Sequence, residues 1–267
     1  MPAWICATCA VQYPDTAEPP THCPICEDER QYVGWDGQRW TTAAELARDH
    51  ATDIREEEPG LLGIGVAPGV GIGQRALLVR TPHGNVLWDA IPLLDDAARA
   101  AIAAAGGIDT ICVSHPHFYA AHVDFADAFD ARVLLPRADE QWIQRRSDRL
   151  ELFDDRVDVL PGVTLARIGG HFDGAAVLHW ADGSEGRGAL LIGDTITVVQ
   201  DREWVSFMWS YPNLIPLDAE TVRTIVDRVA PFPFDRIYGG WWGRVVLTDG
   251  PGAVRRSADR YIARLQG

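Results

Sequence analysis

Two C-x2-C pairs, Cys6-Ala-Thr-Cys9 and Cys23-Pro-Ile-Cys26, stand thirteen residues apart near the start of the chain, with Pro19, Pro20 and Pro24 in or beside the connection. Each pair can curl into a knuckle that presents two thiolates to one ion, and two knuckles complete a tetrahedral S4 site. A segment this short cannot bury enough apolar surface to fold unaided, so bound metal is expected to supply its folding energy. Residues 1–40 therefore read as a metal-binding module. Thr42-Ala-Ala-Glu45 is a capping-box pattern that predicts a short helix ending near His50. The acidic run Glu56 to Glu58, followed by Pro59 and Gly60, reads as a linker, which makes 41–62 helix and linker and leaves 63–267 as the main domain. His22 adjoins Cys23, but four thiolates suffice, so it is expected to face solvent.

The charge balance excludes several functions. Across 267 residues, 24 basic and 38 acidic groups give a formal charge of −14, which argues against a nucleic-acid partner because phosphate binding needs a basic footprint. Every basic residue is Arg, so chemistry that needs a lysine, such as a Schiff base or a Walker A phosphate loop, is out. No apolar run reaches the roughly 18 to 20 residues of a membrane span, and Met1 to Cys6 lacks the pattern of a secretion signal. A cytoplasmic protein with no membrane partner is expected, and there five cysteines read as metal ligands or buried thiols.

The main domain opens on glycines. Gly71-x-Gly73-x-x-Ala76 formally satisfies the dinucleotide fingerprint but runs straight into the apolar strand Ala76 to Arg80, where the fingerprint must open a helix. His83-Gly84 turns into a second strand, Val86 to Asp89. A helix is predicted over Leu93 to Ala105, stopped by Gly106-Gly107. A buried strand, Ile108 to Val113, follows. Further helices are predicted near 121–129, 139–145, 219–229 and 253–265, and strands near 132–135, 157–160, 163–168, 175–180, 189–192 and 234–238. Hairpins and helices alternate through both halves, which suits packed sheets under outer helix layers.

Four side chains in this frame are metal ligands by type. His115 and His117, two apart at a strand end, leave the backbone on the same side and can meet one ion. Gly169-Gly-His171-Phe-Asp-Gly174 places a His in a glycine-bounded loop before a strand, and Leu190-Leu-Ile-Gly-Asp194-Thr places an Asp after one. Other residues have plainer readings. His179 is expected to be a half-buried, hydrogen-bonded strand residue, and Cys112 a buried inert thiol of parity opposite to His115. The charge-poor aromatic stretch Trp204 to Ile215 reads either as core or as a pocket wall made with Trp241 and Trp242.

The cysteine module resembles a zinc ribbon, and its C-P-x-C end is also similar to the rubredoxin-type module of rubrerythrins. Zinc is the favoured ion and iron the alternative. The order of strand-Asp89, S-H-P-H, G-G-H and G-D-T resembles the metallo-β-lactamase-fold hydrolase superfamily, from about residue 63 to the C-terminus. That resemblance implies an α/β chain folded as a four-layer αββα sandwich, with His115, His117, His171 and Asp194 matching the first-site metal ligands and Asp89 supporting the His loop without touching the metal. The chain departs from the pattern H-x-H-x-D-H, because Tyr119 and Ala120 occupy the last two positions. The late-chain His is also missing, and Trp241 and Trp242 stand in its region.

The resemblance thus implies one divalent metal in the main site, zinc favoured with iron or manganese as alternatives. Asp194 and Tyr119 become the candidate catalytic residues, with Tyr119 donating to the water or a developing oxyanion. His122 and Asp124 are candidate substitute ligands or bases, and an ordinary helix residue is the other reading of His122. The leading expectation is a mononuclear metal-dependent hydrolase that uses a metal-bound water on a small organic ester, thioester or amide. The alternatives are an iron-dependent oxidoreductase with a rubredoxin-like ribbon, and a binding protein that has lost catalysis. The expected partner is a small-molecule substrate, and the ribbon is a possible contact for a protein partner. Nuclease and authentic β-lactamase activities are disfavoured, the first by charge and the second by the lost second site and the cytoplasmic expectation.

Overall fold

The cysteine module is built on three short strands, β1 (Ala3–Cys6), β2 (Gln12–Asp15) and β3 (Trp40–Thr42), in the antiparallel order β2-β1-β3. The computed structural model describes residues 1–267, in two compact units: Met1–Leu135 with Glu140–Leu152, and Pro136–Asp139 with Phe153–Gly267. In the first unit the N-cap half of the expected capping box forms, since the Thr42 hydroxyl accepts from the Glu45 amide at 3.2 Å, while the Glu45 carboxylate accepts from the Thr41 hydroxyl at 3.1 Å. The helix it starts is one turn long, Ala43–Leu46.

The expected linker is instead a strand. Ala51–Glu58 (β4) pairs antiparallel with Leu61–Ala67 (β5), and Pro59-Gly60 is the turn between them, with Gly60 at φ +91°. The ladder with β5 pairs the backbone groups on that side of the strand, while arginines from elsewhere in the unit pair with two of the carboxylates. Arg80 reaches Glu56 at 3.2 Å and the buried Arg75 reaches Glu57 at 2.6 Å. β6 (Ala76–Thr81), β7 (Gly84–Trp88), β8 (Thr110–Cys112), β9 (Arg132–Pro136) and β10 (Leu150–Phe153) complete a seven-stranded sheet in the order β10-β9-β8-β7-β6-β5-β4. Pairing is antiparallel from β4 to β7 and parallel across β7, β8 and β9.

The helix Asp96–Ala104 is capped by Asp95, whose Oδ1 accepts from Ala98 N at 2.9 Å, and it buries Ala98 and Ile102. The helix His122–Phe129 follows the His115 loop and ends on Asp130 in the left-handed region. Ile5 and Ala10 of the cysteine module share a buried cluster with Leu46, Val70 and Leu93, so the module has no core separate from its unit.

In the second unit, β11 (Arg156–Leu160), β12 (Val163–Arg167), β13 (Ala176–Trp180) and β14 (Ala189–Ile192) form an antiparallel run. Two small hairpins come next, β15 (Thr197–Val198) with β16 (Val205–Ser206) and β17 (Met208–Ser210) with β18 (Ile215–Pro216). β19 (Arg236–Tyr238) adds parallel to β14, and β20 (Val245–Val246) closes the six-stranded sheet. Its core includes Leu190, Ile192, Phe207, Val222, Ile225 and Val254 under the helices Ala219–Val229 and Gly250–Gln266.

The helix predicted near 139–145 is a short 3-10 segment, Arg137–Trp142, broken at Asp139. Asp139 is fully buried and its Oδ1 accepts from Gly174 N at 2.8 Å, so its side chain serves the His171 loop.

Candidate metal centres

Cys6, Cys9, Cys23 and Cys26 are buried, unbridged by disulfides, and have ligand atoms all within 4.8 Å of one another. Cys6 Sγ lies 3.5 Å from Cys26 Sγ, and Cys9 Sγ lies 3.8 Å from Cys23 Sγ. Four sulfurs at about 2.3 Å from one ion stand about 3.8 Å apart, so the set fits a tetrahedral metal. Tyr13 donates its hydroxyl to Cys23 Sγ at 3.0 Å, and Gln38 donates to Cys6 Sγ at 3.1 Å. Such donors stabilise thiolates and orient them toward an ion. Burial pushes the Cys9 thiol up, and burial followed by the charge on Cys23 pushes the Tyr13 phenol far up, which keeps that phenol a donor. His22 faces solvent beside Glu27.

In the first unit the chain leaves β8 through Ser114 and the extended His115 into a 3-10 turn, Pro116–Phe118, which carries His117. The His115 and His117 rings are buried with centroids 5.2 Å apart. His115 Nδ1 is 2.9 Å from Ser114 Oγ, which leaves Nε2 as the ligand atom. Asp89, at φ +64° just past β7, accepts from the Ser114 amide at 2.7 Å. Asp89 thereby ties the end of β7 to the start of the histidine loop.

Tyr119 is buried, and its carbonyl accepts from His122 Nδ1 at 3.0 Å. Burial lowers the His122 pKa to about 4, so the ring is neutral at ordinary pH. Asp124 accepts from Gln12 Nε2 at 2.7 Å and from Arg145 Nη1. It is thus engaged with the cysteine module, a role no local sequence signal carried. Burial also pushes the Cys112 thiol up, so it stays protonated and inert.

In the second unit, His171 and Asp194 are both buried, with His171 Nε2 3.7 Å from Asp194 Oδ2. His171 Nδ1 is 3.2 Å from the Met208 carbonyl, so Nε2 is again the ligand atom. Thr195 of the G-D-T motif bridges the two segments: its hydroxyl donates to Gly169 O at 2.9 Å and accepts from His171 N at 3.3 Å. Tyr211 donates to the Asp194 carbonyl at 2.7 Å, and burial followed by the charge on Asp194 pushes its phenol up. Its place in the aromatic stretch gave no hint of this role. Trp241 and Trp242 are half-buried in the turn between β19 and β20. His179 is buried rather than half-buried, with Nε2 2.7 Å from Pro233 O.

No family model matches the chain. The chain is 45% identical over 268 residues to the uncharacterized protein YmaE of Bacillus subtilis (strain 168), across 99% of this chain and 97% of that protein. Among solved structures, VMB-1 at pH 5.5 is similar at a TM-score of 0.60 and 12% identity, covering 81% of this chain and 98% of that one. A B3 metallo-β-lactamase with an active-site glutamic acid gives 0.53 at 16% identity, with 85% and 97% covered. The HARLDQ-motif metallo-β-lactamase of Cronobacter sakazakii (Enterobacter sakazakii) gives 0.51 at 20%, with 80% and 96% covered. These likenesses establish the αββα sandwich expected from the motif order. The chain belongs to the family of YmaE from Bacillus subtilis and has the metallo-β-lactamase fold, preceded by a four-cysteine ribbon.

Proposed function

We propose that this protein is a mononuclear metal-dependent hydrolase of a small organic ester, thioester or amide, with His115, His117, His171 and Asp194 holding one divalent ion. The chemistry of the donors carries the reading: each unit contributes two buried side chains of the types that ligate divalent metals, His115 and His117 in one and His171 and Asp194 in the other. Three imidazoles and one carboxylate suit zinc, a borderline ion that takes nitrogen and oxygen donors, and zinc is also the proposed occupant of the ribbon. When bound, such an ion polarises a carbonyl and lowers the pKa of water from about 15.7 to roughly 7.

The chain's own groups supply the rest. Ser114 and the Met208 carbonyl engage Nδ1 of His115 and His171, and so aim each Nε2. Asp194 brings a negative charge that offsets part of the ion's. Tyr119 stands where the family pattern has a carboxylate. A phenol at neutral pH donates a proton and does not accept one, so its proposed role is to stabilise the developing oxyanion rather than to act as base. Trp241 and Trp242 are the proposed apolar wall against which a small substrate packs. A cytoplasmic location belongs to the same reading, and no helix is long and apolar enough to cross a membrane.

The test is turnover of a panel of aryl esters, thioesters and anilides by zinc-loaded protein and by His171→Ala. Hydrolysis in the wild type and loss to background in the variant are expected. Turnover that survives in His171→Ala would overturn the proposal.

A further inference from the structure

The cysteine ribbon sits against the loop that carries His115 and His117, and one residue makes the junction. Gln12 is on β2 and only 1% exposed. Its backbone amide donates to Ala120 O at 3.2 Å, three residues past His117. Its side chain donates to Asp124 at 2.7 Å, and Arg145 bridges back by donating to both Gln12 Oε1 and Asp124 Oδ1. The next residue, Tyr13, points the other way and donates to the metal-ligand sulfur of Cys23. Neighbouring residues on one strand therefore join the four-cysteine site to the histidine loop.

What the junction holds is a strained backbone. Ala120 lies at φ +38°, a left-handed conformation that a non-glycine residue keeps only where its surroundings enforce it. Its carbonyl is fixed by the ribbon, and the following amide, Ala121 N, donates to Ile91 O at 3.3 Å. Released from the ribbon, Ala120 would relax toward negative φ and swing the chain that holds His117.

We infer that Gln12 is a positioning residue that transmits the folded, metal-loaded state of the ribbon to the His115–His117 loop. The inference deepens the reading above and rests on it for the ligand role of the two histidines. The ribbon is in this view a brace for the second metal site, and occupancy of the two sites is linked in both directions.

The test uses the full chain, cobalt(II) as the probe of the histidine site, and hydrogen exchange of the Ala120 to Val123 amides. Gln12→Ala, with its ribbon metal retained, is expected to bind cobalt about tenfold more weakly, in the range of groups that orient metal ligands, and to exchange those amides at least about tenfold faster. Adding Ala120→Gly, which removes the left-handed strain, is expected to restore affinity to within about threefold. A merely structural role for Gln12 would give no such rescue. Should Gln12→Ala not fold, Cys26→Ser with and without Ala120→Gly makes the same comparison. Wild-type cobalt affinity and amide protection in Gln12→Ala, or faster exchange without weaker binding, would overturn the inference. A wild type that takes up no cobalt dependent on His115 and His117 sinks the proposed function, and the exchange comparison alone then decides the role of Gln12.

Discussion

Nε2 of His171 stands 3.7 Å from Oδ2 of Asp194. That is beyond hydrogen-bond range and close to the separation of about 3.4 Å that two donors adopt on one tetrahedral ion. Met208 and Thr195 hold the His171 segment, and Tyr211 holds the Asp194 backbone, so the gap is maintained by groups behind it. Removing either ligand should leave the ribbon loaded. Elemental mass spectrometry is expected to give two metals per wild-type chain and one in His171→Ala or in the His115→Ala, His117→Ala double variant. Two metals in either variant would place the second ion elsewhere.

The identity of the ribbon metal has an optical readout. Ferric tetrathiolate is strongly coloured and zinc tetrathiolate is not. Protein purified without added metal is expected to be colourless, and visible thiolate-to-iron absorption would favour the redox alternative.

Asp89 supplies the acceptor for Ser114 N and does so from a left-handed backbone. Asp89→Ala leaves that buried amide unpaired, at a cost of about 1–3 kcal/mol, and also loses a residue type that tolerates positive φ. Asp89→Asn keeps an acceptor oxygen and the conformational tolerance, so it should cost less. Urea unfolding of the two variants checks the order, and equal losses would mean that the carboxylate charge is what counts.

Gly71 lets the first cysteine knuckle approach. A Cβ there would lie 2.7 Å from Ala10 Cβ and 3.0 Å from Ala10 N, at φ +60°. Gly73 has φ +73° with nothing within 4 Å of the same point. Gly73→Ala reads backbone strain alone, about 1 kcal/mol. Gly71→Ala adds a clash with backbone and is expected to cost about 1–3 kcal/mol more. Thermal melts of the pair check this, and equal melting points would mean that the knuckle gives way freely.

His122 sets an acid limit. Its folded pKa is about 4 against an ordinary 6.5, because burial disfavours the charged ring. Between those values the unfolded chain binds the extra proton, so stability is lost as pH falls from 6.5 toward 4 and is unaffected above that window. The full shift corresponds to at most about 3 kcal/mol. His122→Gln should show a shallower fall in melting temperature between pH 7 and pH 4.5 than the wild type. Parallel curves would show that other groups carry the acid sensitivity.

Much of this was legible in the residues because the signals are local. The helix over 219–229 and its neighbouring strands follow from apolar period and length, and the histidine pair, G-G-H and G-D-T follow from donors at strand ends. β4 was hidden because its carboxylates resemble a solvated linker until the pairing with β5 and the arginines from elsewhere are seen. The hairpins from β15 to β18 are two or three residues per strand, too short for any period to register. Gln12 and Asp124 are 112 positions apart, and no spacing rule reaches that far. The bend of Asp139 into the His171 loop is likewise a tertiary demand that overrides helix preference.

β4 is the outermost strand of its sheet, and five of its eight residues, Asp53, Arg55, Glu56, Glu57 and Glu58, are charged. A second copy that tried to prolong the sheet there would bring this acidic strand against its own duplicate. At one rim of the other sheet, β11 presents the exposed charges of Arg156 and Asp158. The same acidic row that looks like a tether in one dimension is, in three, the charged border of a sheet, the kind of edge that disfavours strand addition.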